Sequence, residues 1–285
     1  MKQFLFFLLG ITMFISINHT YYNPNEIVSF NEQLQQQRDS LENYKFRISS
    51  DKLASKIIGK FNGIEPEVWG ENIDDVITRI DTEEKVVALT FDACHGSYDE
   101  ALIDFLIEEK IPATLFVTGK WIKKHEETFV ALSKNPLFEI ANHGYEHKPL
   151  SVTGQSAYGV KGTKNIEEAF YEVFRNQVLI KELTGEYPKY FRSGTAYYDD
   201  VSVDMIYALG LKPVNYNVLG DAGATFNKKQ IVQSMMTAKN GSILLFHMNH
   251  PQSHISEGVK KGALKLREEG FKFVRIEEYD KFLRE

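Results

Sequence analysis

Between residues 86 and 276, short apolar runs alternate with longer amphipathic ones, about seven times over. This pattern leaves few folds open. A strand, a helix and a second parallel strand bury both faces of a sheet only when repeated side by side. Val86–Phe91 is continuously apolar apart from Thr90 and reads as a strand buried on both faces. Ala113–Val117, Phe138–Ala141, Tyr190–Phe191, Pro213–Tyr216, Ser242–Phe246 and Phe271–Ile276 read as further strands. Helices are expected over Ala101–Glu109, Lys120–Lys134, Asn165–Leu183, Asp200–Leu209, Lys228–Lys239 and Glu257–Glu269, with Gly185 and Gly210 as stops. The expectation is an α/β chain forming a distorted (β/α)7-type barrel of parallel strands, preceded by a signal segment and a polar helical extension.

Polar residues collect at one end of this pattern. Asp92, Cys94 and His95 follow the first strand, and Asn142, His143 and His147 follow the third. Arg192 follows the fourth, Asp221 lies in the loop after the fifth, and His247 ends the sixth. Parallel barrels build their active sites at the C-terminal ends of strands. Ionisable residues at five separate strand ends therefore predict a site without naming its reaction.

Composition narrows the classes. The 285 residues include 33 Lys+Arg and 39 Asp+Glu, a net charge of −6. That balance argues against a nucleic-acid partner, which favours a basic face. A single cysteine, Cys94, excludes an intrachain disulfide and a zinc site built mainly from cysteines. At the start, Lys2 precedes Phe4–Ile17, fourteen residues without a charge. This reads as a signal peptide or N-terminal anchor over 1–18, short for a bilayer span of about 20 residues. It places the protein outside the cytoplasm, with membrane tethering through this segment alone. Residues 19–68 read as a polar extension with an exposed helix at Phe30–Phe46 and a connector at Gly59–Gly70, and 69–285 as the main domain.

The segments LTFDACHG (89–96), NHGYEH (142–147), FRSGTAYYD (191–199), the loop around Asp221, and LLFHMNHP (244–251) occur in that order. Together they resemble the NodB-type polysaccharide deacetylases, the family 4 carbohydrate esterases, over roughly residues 86 to 276. The resemblance implies metal-dependent removal of acetyl groups from exported or cell-wall glycan, with an acetylated glycan as partner. It implies Asp92 as general base, His247 as general acid, and Arg192 and Asp221 as the charged groups orienting them. His143 and His147, four apart, fit one helical face as two ligands for a divalent metal, zinc first. Spacing alone also suits a pair of surface histidines.

One position departs from the pattern. The family's first motif carries a second aspartate as third metal ligand, and here that position is Ala93. Candidate additional ligands are His95, Cys94 and His250. Cys94 is equally a candidate nucleophile or a small buried hydrophobe. Tyr145, Tyr197 and Tyr198, with Tyr158, are candidates for stacking on sugar, and Lys148–Thr163 for framing a groove. Two rival functions follow: a metal-independent or Cys-dependent hydrolase of another C–N amide bond, and a catalytically degenerate glycan-binding barrel.

Overall fold

The structure, a computed structural model, describes residues 24–283. The expected signal segment lies outside the described residues. Two compact units divide at Leu53 and Ala54. The helix Pro24–Phe61 contains the stretch expected to be helical and continues through Gly59, so the connector begins after Phe61. Ala54, Ile57 and Phe61 are buried within the second unit, which therefore begins ahead of Trp69. Among the described residues no helix is long and apolar enough to cross a membrane.

The second unit carries strands β1 (Trp69–Gly70), β2 (Val86–Ala93), β3 (Ala113–Val117), β4 (Phe138–Asn142), β5 (Ser156–Ala157) and β6 (Val160–Lys161). They are followed by β7 (Tyr190–Phe191), β8 (Tyr198–Asp199), β9 (Lys212–Pro213), β10 (Val218–Leu219), β11 (Ser242–His247) and β12 (Lys272–Phe273). The main sheet is eight-stranded, in the order β10-β11-β2-β3-β4-β7-β9, with β12 on the first residues of β2. Every pairing in it is parallel. The edges β9 and β10 do not pair. Instead Ile77 bridges to Val214 and Arg79 to Ser242, so the 77–80 segment spans the seam. The result is a distorted (β/α) barrel.

Alternation along β2 sorts its side chains. Val87, Leu89, Phe91 and Ala93 join the core between sheet and helices. Val86 and Ala88 join the barrel interior with Ile77, Phe116, Tyr190 and Ile243. Asp92 continues that inward row and emerges at the C-terminal mouth.

Three expectations shift. The helix expected over Lys120–Lys134 is two helices, Gly119–Lys124 and Glu126–Ser133. They break at His125, which leaves helical φ/ψ where its ring meets the Gly96 carbonyl at 3.0 Å. The strand expected over Pro213–Tyr216 leaves the ladder early, because Asn215 turns its amide to the carbonyls of Glu71 and Ala196. The Lys148–Thr163 loop folds into the hairpin β5–β6 around Tyr158 (φ 51°) and Gly159 (φ 76°). Both central residues have positive φ, as a two-residue type I′ turn requires.

Candidate active site

Asp92 is 4% exposed at the end of β2, and Arg192, fully buried, follows β7. The guanidinium donates to Asp92 Oδ1 at 2.7 Å and to Thr90 Oγ1 at 3.0 Å. It also donates to the carbonyls of Val214 at 3.1 Å and Asn215 at 2.9 Å, and lies 4.0 Å over the Phe116 ring. A planar fork with this many partners fixes the carboxylate against rotation. The other carboxylate oxygen, Oδ2, stands 3.4 Å from His143 Nε2.

His143 follows β4 and is buried. Its Nδ1 lies 2.9 Å from the Arg192 carbonyl. A carbonyl only accepts, so Nδ1 carries a hydrogen, and the ring in its neutral form presents the Nε2 lone pair. Cys94 Sγ is 3.6 Å from that nitrogen. His147 completes the group: ligand atoms of Cys94, His143 and His147 all lie within 4.8 Å of one another. Two imidazoles and one sulfur form a donor set suited to zinc or a similar borderline-soft divalent ion. Burial raises the Cys94 thiol pKa, but the imidazoles of His147, His143 and His247 outweigh it and hold the thiol well below its usual value. His143 is pushed down by burial and lifted more by Asp92 and Cys94, a net rise.

The expectation of one helical face for His143 and His147 is corrected. The two sit in a turn with Gly144 at φ 77° and His147 at φ 66°, and the rings meet at 4.9 Å through this turn. Ala93 pairs with Val117, and its methyl packs in the core facing the helices. The group that reaches the histidines comes one residue later, from Cys94, whose carbonyl is held by Thr118 Oγ1 at 2.6 Å.

On the far side, fully buried Asp221 accepts from His247 Nδ1 at 3.0 and 3.1 Å and from its backbone N–H at 2.7 Å. Burial disfavours the imidazolium, but Asp221 and Cys94 win and hold the His247 pKa well above its usual value. Asp221 follows β10, a two-residue strand too short to register in the sequence pattern.

The other candidates divide. His95 is exposed, its ring 5.4 Å from His147, and burial together with the His147 charge lowers its pKa. His250 is exposed beside His247, rings 5.9 Å apart. Neither belongs to the tight cluster. Tyr198 is fully buried, with its hydroxyl accepting from Ser193 N–H at 2.9 Å, so it offers no face to sugar and that expectation is corrected. Tyr145 fills the space over Gly119, where a Cβ would lie 2.2 Å from the ring, and Arg175 sits 4.1 Å over its face. Tyr145 is half-buried and packs against these neighbours. Tyr197 is half-buried between Trp69 at 5.5 Å and Tyr158 at 5.4 Å, a rim of three rings. The sequence reading missed Trp69 in this rim. It also missed Glu172 and Asn176, buried polar residues on the core face of the helix Ile166–Thr184. Their break in that apolar stripe was the available signal.

Residues 79–214 match the sequence model of the family described as polysaccharide deacetylase. A bifunctional xylanase/deacetylase of Pseudobutyrivibrio xylanivorans is 24% identical over 201 residues, covering 68% of this chain and 30% of the relative. The chain thus spans about a third of that relative's length. The peptidoglycan-N-acetylmuramic acid deacetylase PdaA of Bacillus subtilis is 23% identical over 226 residues, 75% of this chain and 81% of the relative. Its solved structure, a family 4 carbohydrate esterase, superposes with a TM-score of 0.60 at 22% identity, covering 79% of this chain and 88% of that one. A family 4 pseudoenzyme from Bacillus anthracis superposes with a TM-score of 0.60 at 21% identity, over 80% of each chain. Residues 79–214, from the seam-closing segment past Arg192, thus match a polysaccharide deacetylase domain, and the barrel that carries them is the fold of the NodB-type family 4 carbohydrate esterases.

Proposed function

We propose that the protein removes acetyl groups from N-acetylated glycan of the cell wall or extracellular polysaccharide, using a divalent metal held by Cys94, His143 and His147. The observation that carries this reading is the meeting of two oriented acid–base pairs at one donor cluster. Asp92, tied to Arg192, stands beside His143, and His247, tied to Asp221, stands beside Cys94. The uncharged run Phe4–Ile17 supports export.

Amide hydrolysis needs a base for the attacking water and a proton for the departing amine. Asp92, with Oδ1 engaged by Arg192, offers Oδ2 to take the water proton. His247, held protonated by Asp221, gives its proton to the amine nitrogen as the C–N bond breaks, releasing acetate and a free amino sugar. A divalent ion, when bound, supplies Lewis acidity toward the acetyl carbonyl and lowers the pKa of water. The rim of Trp69, Tyr158 and Tyr197 offers flat apolar faces to sugar rings.

The test is acetate release from chitooligosaccharide and from peptidoglycan, with elemental analysis of the same preparation. The expected result is acetate release that stops on chelation and returns with zinc. Glycan binding without acetate release would favour the degenerate barrel, a reading supported by Ala93 and by the likeness to a pseudoenzyme. Full activity after exhaustive chelation would favour the metal-independent hydrolase.

A further inference from the structure

Glu172 is a carboxylate that the chemistry above does not use, and it is 4% exposed on the buried side of the helix Ile166–Thr184. A carboxylate there is costly to bury, and no side-chain cation pairs with it among the described ion pairs. Its oxygens are taken instead by backbone. They accept from Glu146 N–H at 2.9 and 3.0 Å and from Lys148 N–H at 3.1 Å. The Glu172 carbonyl accepts from Tyr145 N–H at 2.9 Å. One residue thus gathers the N–H groups on both sides of His147, which sits between them at a strained φ of 66°. Gly144 makes room for this approach: a Cβ there would lie 2.4 Å from Glu172 Oε1. An apolar side chain at 172 would serve helix packing better. It would also leave two N–H groups, those of Glu146 and Lys148, and the left-handed histidine between them without their fixed partner.

We propose that Glu172 is a positioning residue of the active site, whose carboxylate locks the 144–148 turn so that the His147 imidazole faces Cys94 and His143. The proposal rests on the reading of Cys94, His143 and His147 as a metal site for its effect on affinity, but not for its effect on ring placement. Residues that orient a ligand without touching the metal typically change affinity by about 10–100-fold when removed.

The test compares the full chain with Glu172→Ala and Glu172→Gln, the latter keeping one acceptor oxygen. The zinc dissociation constant, from competition with a chromophoric chelator, should weaken by about 10–100-fold in Glu172→Ala and by less than about tenfold in Glu172→Gln. In the metal-free proteins, the proton NMR contact between the His143 and His147 rings, 4.9 Å apart, should be present in the wild type and lost in Glu172→Ala. Amide exchange at Glu146 and Lys148 should accelerate in the same variant while core amides stay protected. A folded Glu172→Ala that keeps both the ring contact and wild-type zinc affinity overturns the proposal. Should Glu172→Ala fail to fold, Glu172→Gln decides: weakening of threefold or more supports the proposal, and affinity within that limit overturns it. A wild type that binds no zinc sinks the metal reading alone, and the ring contact then decides the role of Glu172.

Discussion

Replacing Arg192 with methionine removes the cation from the most enclosed ion pair of the site while filling much of the same volume. The change deletes the bonds to Asp92, Thr90 and the carbonyls of Val214 and Asn215. It leaves Asp92, 4% exposed, without its counter-charge. Breaking a buried pair from one side destabilises by about 3–5 kcal/mol, because the remaining charge is stranded. At about 2–4 °C per kcal/mol for a domain of this size, the thermal midpoint should fall by about 6–20 °C. Removing the partner as well relieves the stranded charge. The double variant Asp92→Asn/Arg192→Met should therefore lose less than the sum of the singles, by about 2 kcal/mol or more. Urea denaturation of the metal-free chain measures all three variants, with an unchanged slope confirming a comparable unfolding transition. Single-variant effects that add within about 0.5 kcal/mol would refute the coupling, and with it the claim that Arg192 exists to hold Asp92.

Three further outcomes follow from particular contacts. Asp221→Asn removes the charge that keeps His247 protonated, so turnover should fall by about 10²–10⁴ and the basic limb of the rate profile should move to lower pH; a superimposable profile would contradict this. Glu139, buried against Thr114 Oγ1 at 2.7 Å, has its carboxyl pushed by burial from 4.5 up to about 7. The unfolded chain loses that proton first, so this contribution to stability is full below about pH 4.5 and declines until about pH 7. Relative to wild type, Glu139→Gln should gain up to about 3 kcal/mol across that window, and urea midpoints that stay parallel with pH would count against it. Gly194→Ala would set a Cβ 2.3 Å from the His147 carbonyl carbon, so the variant should lose about 1–3 kcal/mol of stability and bind zinc more weakly than wild type, as chelator competition would show.

The sequence carried the barrel because its long strands are buried on both faces and its helices keep a clean apolar stripe. β2, β3, β4 and β11 were legible for that reason, as was their shared polar end. Two-residue strands such as β10 escaped, since two residues have no period. The candidate acid–base residues Asp92, Arg192, Asp221 and His247 meet in the pairs that the resemblance implies. The third member of the donor cluster was not legible. On paper His95 and His250 had the advantage of neutral imidazoles and Cys94 read most simply as a small buried hydrophobe; the strand-end geometry, which sends Ala93 outward and Cys94 inward, selects Cys94. The aromatic candidates Tyr197 and Tyr198 separate for a related reason. Tyr197 and Tyr198 are neighbours, and adjacent residues on an extended segment face opposite ways, so one reaches the rim and the other the interior. Glu172 left only a polar break in a helical stripe, which also fits ordinary helix capping or solvation.

In the proposed site a thiolate from Cys94 joins the imidazoles of His143 and His147 at the barrel mouth, with Ala93 where the family resemblance implies a carboxylate. Zinc K-edge X-ray absorption on the zinc-loaded full chain tests it most directly. The predicted spectrum contains one sulfur at about 2.3 Å and two imidazole nitrogens at about 2.0–2.1 Å, with the sulfur shell lost in Cys94→Ser. A wild-type spectrum of nitrogen and oxygen scatterers alone, unchanged in Cys94→Ser, would contradict the claim.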